Sequence, residues 1–294
     1  MLLNWKYGLG IAMINSSDNS GEHTANIKPE TTISSPARFT VETILSLRYW
    51  TPSLLSFRTS RDPNFRFTPG HYARLGLQSA NDNVVWRPFS VVSSTVDGYL
   101  EFIATLIPNG EFSDLLSNSW EGDKIQVDKS SYGFMTIDGF APGNDLWLMA
   151  TGTGLGPFLS ILRDSSTWNA FENIVLVHSV RYVVELAYQD EITAIIQEHA
   201  LGTTLPARLR YIPVVTRELC SDMLSARIPQ LIDDGRLEIT AGLKFDLKSS
   251  RIMVCGNPEM ISELRGILTA RNFHTNRRTA PGQLAFENYW LNKT

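Results

Sequence analysis

The chain has 294 residues, of which 43% are hydrophobic, 10% aromatic and 19% charged, and its formal net charge is −4. This length and apolar fraction predict a folded chain of two domains, and the negative charge argues against non-specific nucleic-acid binding. Two cysteines exclude a disulfide framework and a four-thiolate metal site, and no apolar run is long enough for a membrane span.

The first 36 residues differ from the rest of the sequence. Residues 1–14 are weakly apolar and are interrupted by Gly8 and Gly10, and residues 15–36 are rich in Ser, Thr, Asn and Pro. A secretory signal needs a basic start, an unbroken apolar centre and a small-residue cleavage site, and all three features are weak here. We therefore expect a flexible N-terminal extension over residues 1–36, with a targeting segment as the alternative.

Short strands separated by turns are predicted from residue 38 onward. Their alternating or apolar patterns lie at residues 39–47, 54–59, 71–77, 89–93, 99–107 and 124–127. Pairs such as Pro69-Gly70 and Asp97-Gly98 supply turns, and a short helix is predicted at residues 112–118. About six strands in this spacing predict an antiparallel barrel over residues 37–142, with a sandwich as the alternative.

The pattern changes near residue 143, where apolar runs begin to alternate with helical segments. Strands buried on both faces are predicted at residues 146–150, 174–178, 209–215 and 251–255. Helices are predicted at residues 158–163 and 186–199, and Asn257-Pro258 begins a further helix that ends near Arg271. This alternation predicts a doubly wound parallel sheet in residues 143–294, with the domain boundary between residues 138 and 144.

A glycine-rich loop, Thr151-Gly-Thr-Gly-Leu-Gly156, follows the first buried strand and precedes a helix. Such glycines let a pyrophosphate approach free backbone N–H groups, with a structural tight turn as the alternative. The second strand ends in Val177-His-Ser-Val-Arg181, without the acidic residue that holds the ribose of NAD. An arginine there suits the 2′-phosphate of NADP, and Arg217 and Arg227 follow the next strand. The three arginines therefore predict an NADP site, with solvated surface charges as the alternative.

Two further segments carry residue types that bind a flat cofactor. Arg87-Pro-Phe-Ser90 offers a guanidinium for a phosphate, a ring for stacking and a hydroxyl for a hydrogen bond. A core phenylalanine beside an exposed arginine is the alternative. Near the end of the chain, Glu287-Asn-Tyr-Trp290 carries two large aromatic residues, which are rare at a fraying terminus unless they dock on a flat partner.

Taken together, these motifs resemble those of bacterial ferredoxin/flavodoxin–NADP⁺ reductases. The similarity rests on residues 87–90, 151–157, 177–182, 255–260 and 287–290, in the order and spacing of the family. It is strongest for the subclass whose chain ends in Tyr-Trp. The resemblance implies an FAD-binding antiparallel barrel at residues 37–142, followed by an NADP-binding α/β domain at residues 143–294 whose C-terminal tail covers FAD.

The resemblance also implies roles for individual residues. For FAD it implies contacts from Arg87, Pro88, Phe89, Ser90, Ile103, Glu111, Phe112, Ser113, Thr153, Tyr289 and Trp290. For NADP it implies contacts from Val180, Arg181, Thr216, Arg217, Arg227, Cys255, Gly256 and Asn257. The catalytic positions that it implies are Ser90, Cys255 and Glu287, and it implies no metal site.

Some of these positions depart from the family pattern. Phe89 stands where similar members have Tyr, so that stacking on the flavin is kept and a hydroxyl hydrogen bond is lost. Glu111 replaces a Lys, which removes a side-chain contact to phosphate. Tyr289 is expected to stack on the flavin and Trp290 on the adenine of FAD.

The implied activity is that of a ferredoxin(flavodoxin)–NADP⁺ reductase. In it, FAD mediates between two-electron hydride transfer with NADP(H) and one-electron transfer with ferredoxin or flavodoxin. The alternatives are an NADPH-dependent flavin or ferric reductase with a diffusible acceptor, and a non-catalytic binding module on the same fold. We expect a cytoplasmic monomer that binds no nucleic acid, with Arg271, Arg277 and Arg278 as a candidate partner surface.

Overall fold

The computed structural model describes residues 38–201, 208–277 and 279–288. The predicted N-terminal extension lies outside the described residues, as do Arg278, Tyr289 and Trp290. Within the described ranges, one sheet is antiparallel and the other parallel, as the sequence predicts. None of the helices in these ranges is long and apolar enough to cross a membrane.

The antiparallel sheet contains six strands within the described residues. They are β1 (Phe39–Thr51), β2 (Leu54–Ser60), β3 (Tyr72–Gln78), β4 (Val84–Ser90), β5 (Tyr99–Thr105) and β6 (Lys124–Tyr132), in the order β4-β3-β6-β1-β2-β5. Its two edges meet because Val91, directly after β4, forms a bridge to Phe102 of β5. The Val92 N–H also donates a hydrogen bond to the Glu101 carbonyl oxygen at 2.8 Å. The sheet therefore closes into a barrel, which excludes the sandwich.

The fourth strand begins earlier than the sequence predicts. The prediction covers residues 89–93, whereas β4 starts at Val84 and ends at Ser90. Pro88 argues against the interior of a strand because proline has no N–H to donate. In the structure Pro88 pairs with Arg74 of β3, and β4 meets β5 only beyond its end, at Val91, so that the proline is tolerated as it is on an edge strand.

The inside of the barrel is filled by side chains from all parts of the sheet. The core cluster includes Ile44, Phe57, Leu75, Phe102 and Ile125. Helix α1 (Glu111–Ser117) adds Phe112 and Leu116 to the same core. Burial of these apolar side chains is what fixes the short helix against the barrel.

The parallel sheet contains five strands within the described residues. They are β7 (Asp145–Thr151), β8 (Asn173–Val180), β9 (Arg208–Val215), β10 (Ser250–Gly256) and β11 (Leu284–Asn288), in the order β11-β10-β7-β8-β9. The helices of this region are α2 (Leu155–Leu162), α3 (Ser165–Ala170), α4 (Gln189–Leu201), α5 (Ile228–Asp233), α6 (Arg236–Ala241) and α7 (Pro258–Ala270).

Both faces of the parallel sheet are covered. Alternate residues of β7 point to opposite faces, so that Leu148 packs in one core cluster with Phe158 of α2. Met149 packs in the other cluster with Leu231 of α5 and Leu264 of α7. The sheet is therefore doubly wound, as predicted.

Several elements of this region differ from the sequence prediction, and the short helices α3, α5 and α6 were not predicted. Helix α2 begins at Leu155, three residues before the predicted start at residue 158, so that Pro157 lies in its first turn. The N–H groups of the first helical turn have no partner inside the helix, so proline fits there. Helix α4 begins at Gln189 rather than near residue 186, and β11 was not predicted as a strand.

The barrel and the parallel-sheet region contact each other along α2. The Ser160 hydroxyl donates to the Ser93 carbonyl oxygen at 2.9 Å. One guanidinium nitrogen of Arg163 donates to the Val92 carbonyl oxygen, also at 2.9 Å. These bonds attach the helix after the glycine loop directly to the strand connection that follows β4.

Candidate active site

A cleft of about 580 Å³ lies at the carboxyl ends of the central parallel strands. Its walls include the residues that follow β7, β8 and β10. Since β8 and β10 lie on opposite sides of β7, the chain reverses its winding direction at this point. Ligands of open α/β sheets bind in the crevice at such a switch point.

The glycine loop after β7 lines this cleft and needs its glycines for two different reasons. Gly152 has a left-handed φ of 52°, and no atom lies within 4 Å of the place a Cβ would take. Gly154 packs so closely on β10 that a Cβ there would overlap the carbonyl oxygen of Cys255. The loop is thus held tightly against β10 on one side and leaves the backbone at Gly152 open to a ligand.

The loop after β10 forms the opposite wall and is tied to the glycine loop. The Thr151 hydroxyl oxygen accepts a hydrogen bond from the Asn257 backbone N–H at 2.8 Å. The Asn257 side chain caps α7 by accepting from the N–H groups of Glu259 and Met260. Gly256, with a φ of 132°, would place a Cβ on the Thr151 hydroxyl. The cleft is therefore bounded by two fixed loops.

The ends of β8 and β9 bring two arginines side by side at the edge of the cleft. The Thr216 N–H donates to the Val180 carbonyl oxygen at 3.0 Å, and the Arg217 N–H donates to the Arg181 carbonyl oxygen at 2.9 Å. Arg227 also lines the cleft, and its guanidinium pairs with Glu263 at 2.8 Å. Among the described residues, neither Arg181 nor Arg217 forms an ion pair.

Two acidic residues of the cleft, Glu185 and Glu259, were not found from the sequence. Glu185 lines the cleft, four residues after Arg181. Its carboxylate accepts hydrogen bonds from the backbone N–H groups of Arg181 and Tyr182, at 2.8 and 3.1 Å. Because the carboxylate is used by the backbone of its own turn, the two guanidinium groups remain available for an anion.

Most of the residues predicted for NADP come together in this cleft. The cleft-lining residues among them are Val180, Arg181, Thr216, Arg217, Arg227, Gly256 and Asn257, together with Thr153 from the FAD set. Cys255 is fully buried behind Gly154. The barrel also contributes Ser53, Leu54 and Thr105, which carry no motif and gave no signal in the sequence.

The segment 87–90 lies on the edge strand β4 of the barrel. Arg87 and Pro88 are exposed, and a guanidinium nitrogen of Arg87 donates to the Trp86 carbonyl oxygen at 2.8 Å. The half-buried Phe89 ring lies against the Phe112 ring, with centroids 5.1 Å apart. Ser90 is buried.

The barrel residues meet the glycine loop through Gly156. A Cβ on Gly156 would lie 3.2 Å from a methyl carbon of Ile103 and 3.6 Å from Cβ of Ser90. Thus Ser90 and Ile103 approach the first turn of α2. At the start of α1, Glu111 is exposed, and the Ser113 hydroxyl accepts a hydrogen bond from the Ile107 N–H at 2.9 Å.

Glu287 lies on β11, directly beside Cys255 of β10 in the parallel register. Burial raises the pKa of Glu287 to about 7, and its buried Oε2 has no hydrogen-bond partner among the described residues. The carboxyl faces the barrel, because a Cβ on Gly133 would lie 3.5 Å from Oε1. Burial raises the pKa of Tyr72, and the charge of Glu287 adds to that rise. A carboxyl of this kind can hold or release a proton near neutral pH.

Two family models match this chain, one in each half. The model described as an oxidoreductase FAD-binding domain matches residues 48–135. The model described as an oxidoreductase NAD-binding domain matches residues 148–265. These matches agree with an FAD-binding barrel followed by a nucleotide-binding α/β fold.

Relatives and solved structures agree with the models. Ferredoxin–NADP reductase A of Sorangium cellulosum is 37% identical over 254 residues, which cover 85% of this chain and 89% of the relative. The flavodoxin/ferredoxin–NADP reductase of Escherichia coli is 36% identical over 248 residues, covering 84% and 97%. A crystal structure of a ferredoxin NADP⁺ reductase from Neisseria gonorrhoeae with bound FAD and NADP is 35% identical, with a TM-score of 0.80, covering 86% of this chain and 100% of that chain. The chain belongs to the ferredoxin/flavodoxin–NADP⁺ reductase family.

Proposed function

We propose that this chain transfers electrons between NADP(H) and a ferredoxin or flavodoxin, with FAD as its bound cofactor. The observation that carries the proposal is the contact at Gly156. There the first turn after the glycine loop meets Ser90 and Ile103 of the barrel. A dinucleotide on the loop and a flavin on the barrel strand would therefore be held on adjoining parts of the protein.

Bound FAD exchanges electrons in pairs with NADP(H) and singly with a ferredoxin or flavodoxin. The protein's part is to hold both molecules and to control protons and water around them. The geometry of the cleft supports binding of the pyrophosphate of NADP(H) between the glycine loop and Gly256-Asn257. Arg181 and Arg217 are neighbours because backbone hydrogen bonds join residues 180 and 181 to residues 216 and 217. Both suit the 2′-phosphate, since neither guanidinium is paired with a carboxylate of the described residues.

Arg227 has a different part in this proposal. Its guanidinium already pairs with Glu263, and both side chains are about half exposed. Binding of the 2′-phosphate by Arg227 therefore competes with an existing ion pair. We infer that Arg227 contributes less to affinity than Arg181 or Arg217.

FAD binding is assigned to the barrel edge. The exposed Arg87 guanidinium forms no ion pair with a carboxylate of the described residues, so it suits the FAD pyrophosphate. The half-buried Phe89 ring suits stacking on the flavin. The first turn of α1 has no side-chain cap, which leaves its N–H groups for phosphate oxygens. The assigned FAD contacts are Arg87, Pro88, Phe89, Ser90, Ile103, Glu111, Phe112, Ser113 and Thr153. Tyr289 and Trp290 stay predictions from the sequence.

Ser90, Cys255 and Glu287 are assigned to the reacting end of the site. Glu287 carries the proton function, since burial brings its pKa to about 7 and Oε2 has no partner among the described residues. Cys255 is fully buried and forms the wall behind Gly154, so we assign it a role in shape and not in nucleophilic chemistry. Ser90 is a buried hydroxyl next to Gly156 and suits a hydrogen bond to the flavin.

The remaining assignments concern domains, partner and location. We assign residues 37–142 to the FAD-binding domain and residues 143–294 to the NADP-binding domain, because the strands of the two sheets lie at 39–132 and 145–288. The names of the relatives support a ferredoxin or flavodoxin as the partner. We propose that the enzyme acts as a monomer in the cytoplasm.

The test compares electron acceptors for the purified protein. The proposal expects a yellow FAD-containing protein that is bleached by NADPH and that reduces a purified ferredoxin or flavodoxin faster than free riboflavin or ferric citrate. Faster reduction of riboflavin or ferric citrate would identify a reductase of diffusible acceptors. A protein that retains FAD and is not bleached by NADPH would be a binding module, and the proposal would be wrong.

A further inference from the structure

His178 is a buried polar residue next to the glycine loop that none of the assignments above uses. It lies on β8, paired in register with Ala150 of β7 and Pro213 of β9, and is 1% exposed. Its Nε2 atom lies 3.2 Å from the carbonyl oxygen of Gly152. The imidazole therefore contacts the glycine loop from the inside of the protein, where no ligand can reach it.

The hydrogen bonds of His178 fix which ring nitrogen carries the proton. Burial lowers the pKa of His178 to about 4, so that the ring is neutral at pH 7 and has one donor and one acceptor. The Gly152 carbonyl can only accept, so Nε2 is the donor. Nδ1 is then the acceptor, and it faces the Tyr211 hydroxyl at 3.4 Å. Since Nδ1 carries no proton, the Tyr211 hydroxyl donates its own proton to it.

This arrangement controls the direction of one peptide group in the loop. Gly152 has a left-handed φ of 52° and open space on its Cα, so its own sterics leave the peptide free to rotate. The Gly152 carbonyl oxygen accepts from the Leu155 N–H and from His178 Nε2, and the second of these bonds holds it turned into the protein. A carbonyl oxygen directed into the cleft would instead present a partial negative charge to a phosphate.

We propose that His178, supported by Tyr211, is a positioning residue that holds the glycine loop in the form that accepts the pyrophosphate of NADP(H). The inference rests on the proposed function of the cleft. Two other contacts hold the loop on either side of this peptide. The Asn257 N–H donates to the Thr151 hydroxyl and holds Thr151, and close packing on Cys255 holds Gly154. The peptide between these two points is held by the Leu155 N–H within the turn and, from outside the turn, by His178.

The test separates the pyrophosphate part of the site from the arginine part. NADP⁺ and 2′-AMP both carry a 2′-phosphate, but 2′-AMP has no pyrophosphate. Their dissociation constants are measured by titration calorimetry on the FAD-loaded protein and on the variants His178→Leu, His178→Gln and Arg181→Ala. Glutamine places an N–H donor near the position of histidine Nε2, whereas leucine has no donor.

We expect His178→Leu to weaken NADP⁺ binding about fivefold to tenfold and to leave 2′-AMP binding unchanged, because one buried hydrogen bond is removed. His178→Gln should bind NADP⁺ nearly as well as the unmodified protein. Arg181→Ala should weaken both ligands. In turnover, His178→Leu should raise KM for NADPH with kcat unchanged, since the bond acts on binding and not on the chemical step.

Three results would overturn the inference. These are unchanged NADP⁺ affinity in His178→Leu, equal losses for both ligands, and failure of His178→Gln to restore NADP⁺ binding. If the leucine variant does not fold, Tyr211→Phe should give a smaller loss for NADP⁺ alone, and an unchanged NADP⁺ affinity there would contradict the inference. An unmodified protein that binds neither ligand would instead contradict the proposed function.

Discussion

The phenolic hydroxyl of Tyr188 donates a hydrogen bond to the Glu101 carboxylate at 3.0 Å and so joins the two halves of the described chain. Glu101 lies on β5 of the barrel, and Tyr188 directly precedes α4 beside the parallel sheet. Both are buried, at 4% and 1% exposure. The other oxygen of Glu101 lies 3.3 Å from Arg163 and 3.4 Å from Arg58, so the buried charge is compensated.

Tyr188 is held in this position at a conformational cost. Its φ is 63°, in the left-handed region, which is unfavourable for a large side chain. Its ring also lies against Trp50 of β1, with centroids 4.9 Å apart. The contacts to Glu101 and Trp50 outweigh the strain, and both come from the barrel. Tyr188 therefore adds a buried contact between the parallel-sheet region and the barrel, beside those made by Ser160 and Arg163 of the α2 segment.

Tyr188→Phe should lower the free energy of unfolding by about 1.5–3 kcal/mol, the contribution typical of a hydrogen bond to a charged group. The phenylalanine ring keeps the contact with Trp50, so the loss of unfolding free energy measures the contribution of the Tyr188 hydroxyl. Urea unfolding of the FAD-loaded protein measures the change. Tyr49→Phe is the matched control, because Tyr49 is 49% exposed on β1. A loss no larger than that of the control would contradict a structural role for the bond.

Arg181→Ala should change the coenzyme preference. Its guanidinium forms no ion pair among the described residues and lines the cleft, so its removal should weaken NADPH binding by about 1.5–3 kcal/mol. NADH has no 2′-phosphate and should bind almost as before. The measurement is the ratio of kcat/KM for the two coenzymes, with Arg236→Ala as a control because Arg236 pairs with Asp234. Equal losses for both coenzymes would show that Arg181 does not contact the 2′-phosphate.

The sequence predicts those parts of the fold and site that depend on neighbours in the chain. The apolar run before Thr151 predicts β7, and the missing acid after Val180 predicts the preference for NADP. Local sequence does not predict β11, because Glu287 and Asn288 are polar and the strand exists only by pairing with β10. The contact between His178 and Gly152 spans two strands, so neither residue indicates it alone.

Two alanine substitutions in the glycine loop should differ sharply, although they lie two residues apart. Gly152→Ala adds a methyl group in open space and should cost about 1–2 kcal/mol, from the left-handed backbone alone. Gly154→Ala forces a methyl group onto the Cys255 carbonyl oxygen, which is backbone and cannot rotate away. We expect Gly154→Ala to displace the loop and to lower stability by more than Gly152→Ala. Unfolding measures the difference, and similar losses of stability in both variants would contradict the packing of Gly154 on β10.

The pH dependence of stability should contain a contribution from Glu287. Its pKa is about 7 in the folded protein against 4.5 as the ordinary value, so the folded state binds the proton more tightly than the unfolded state. The protonated Glu287 carboxyl therefore makes its full contribution to the free energy of unfolding below about pH 4.5, and this contribution is lost as the pH rises through about 7. The shift corresponds to about 3 kcal/mol at most, at 1.36 kcal/mol for each pKa unit.

Glu287→Gln removes this titration while keeping the size of the side chain. The variant should therefore be more stable than the unmodified protein above about pH 7, by up to about 3 kcal/mol, and the difference should disappear towards pH 4.5. The same substitution should slow NADPH-dependent ferredoxin reduction and remove a limb of its pH profile with an apparent pKa near 7, because the amide cannot release a proton. Glu121→Gln, at an exposed position outside both proposed binding sites, is the control for both measurements. A stability difference that does not vary with pH would show that Glu287 titrates normally, and the proton function assigned to it would then be wrong.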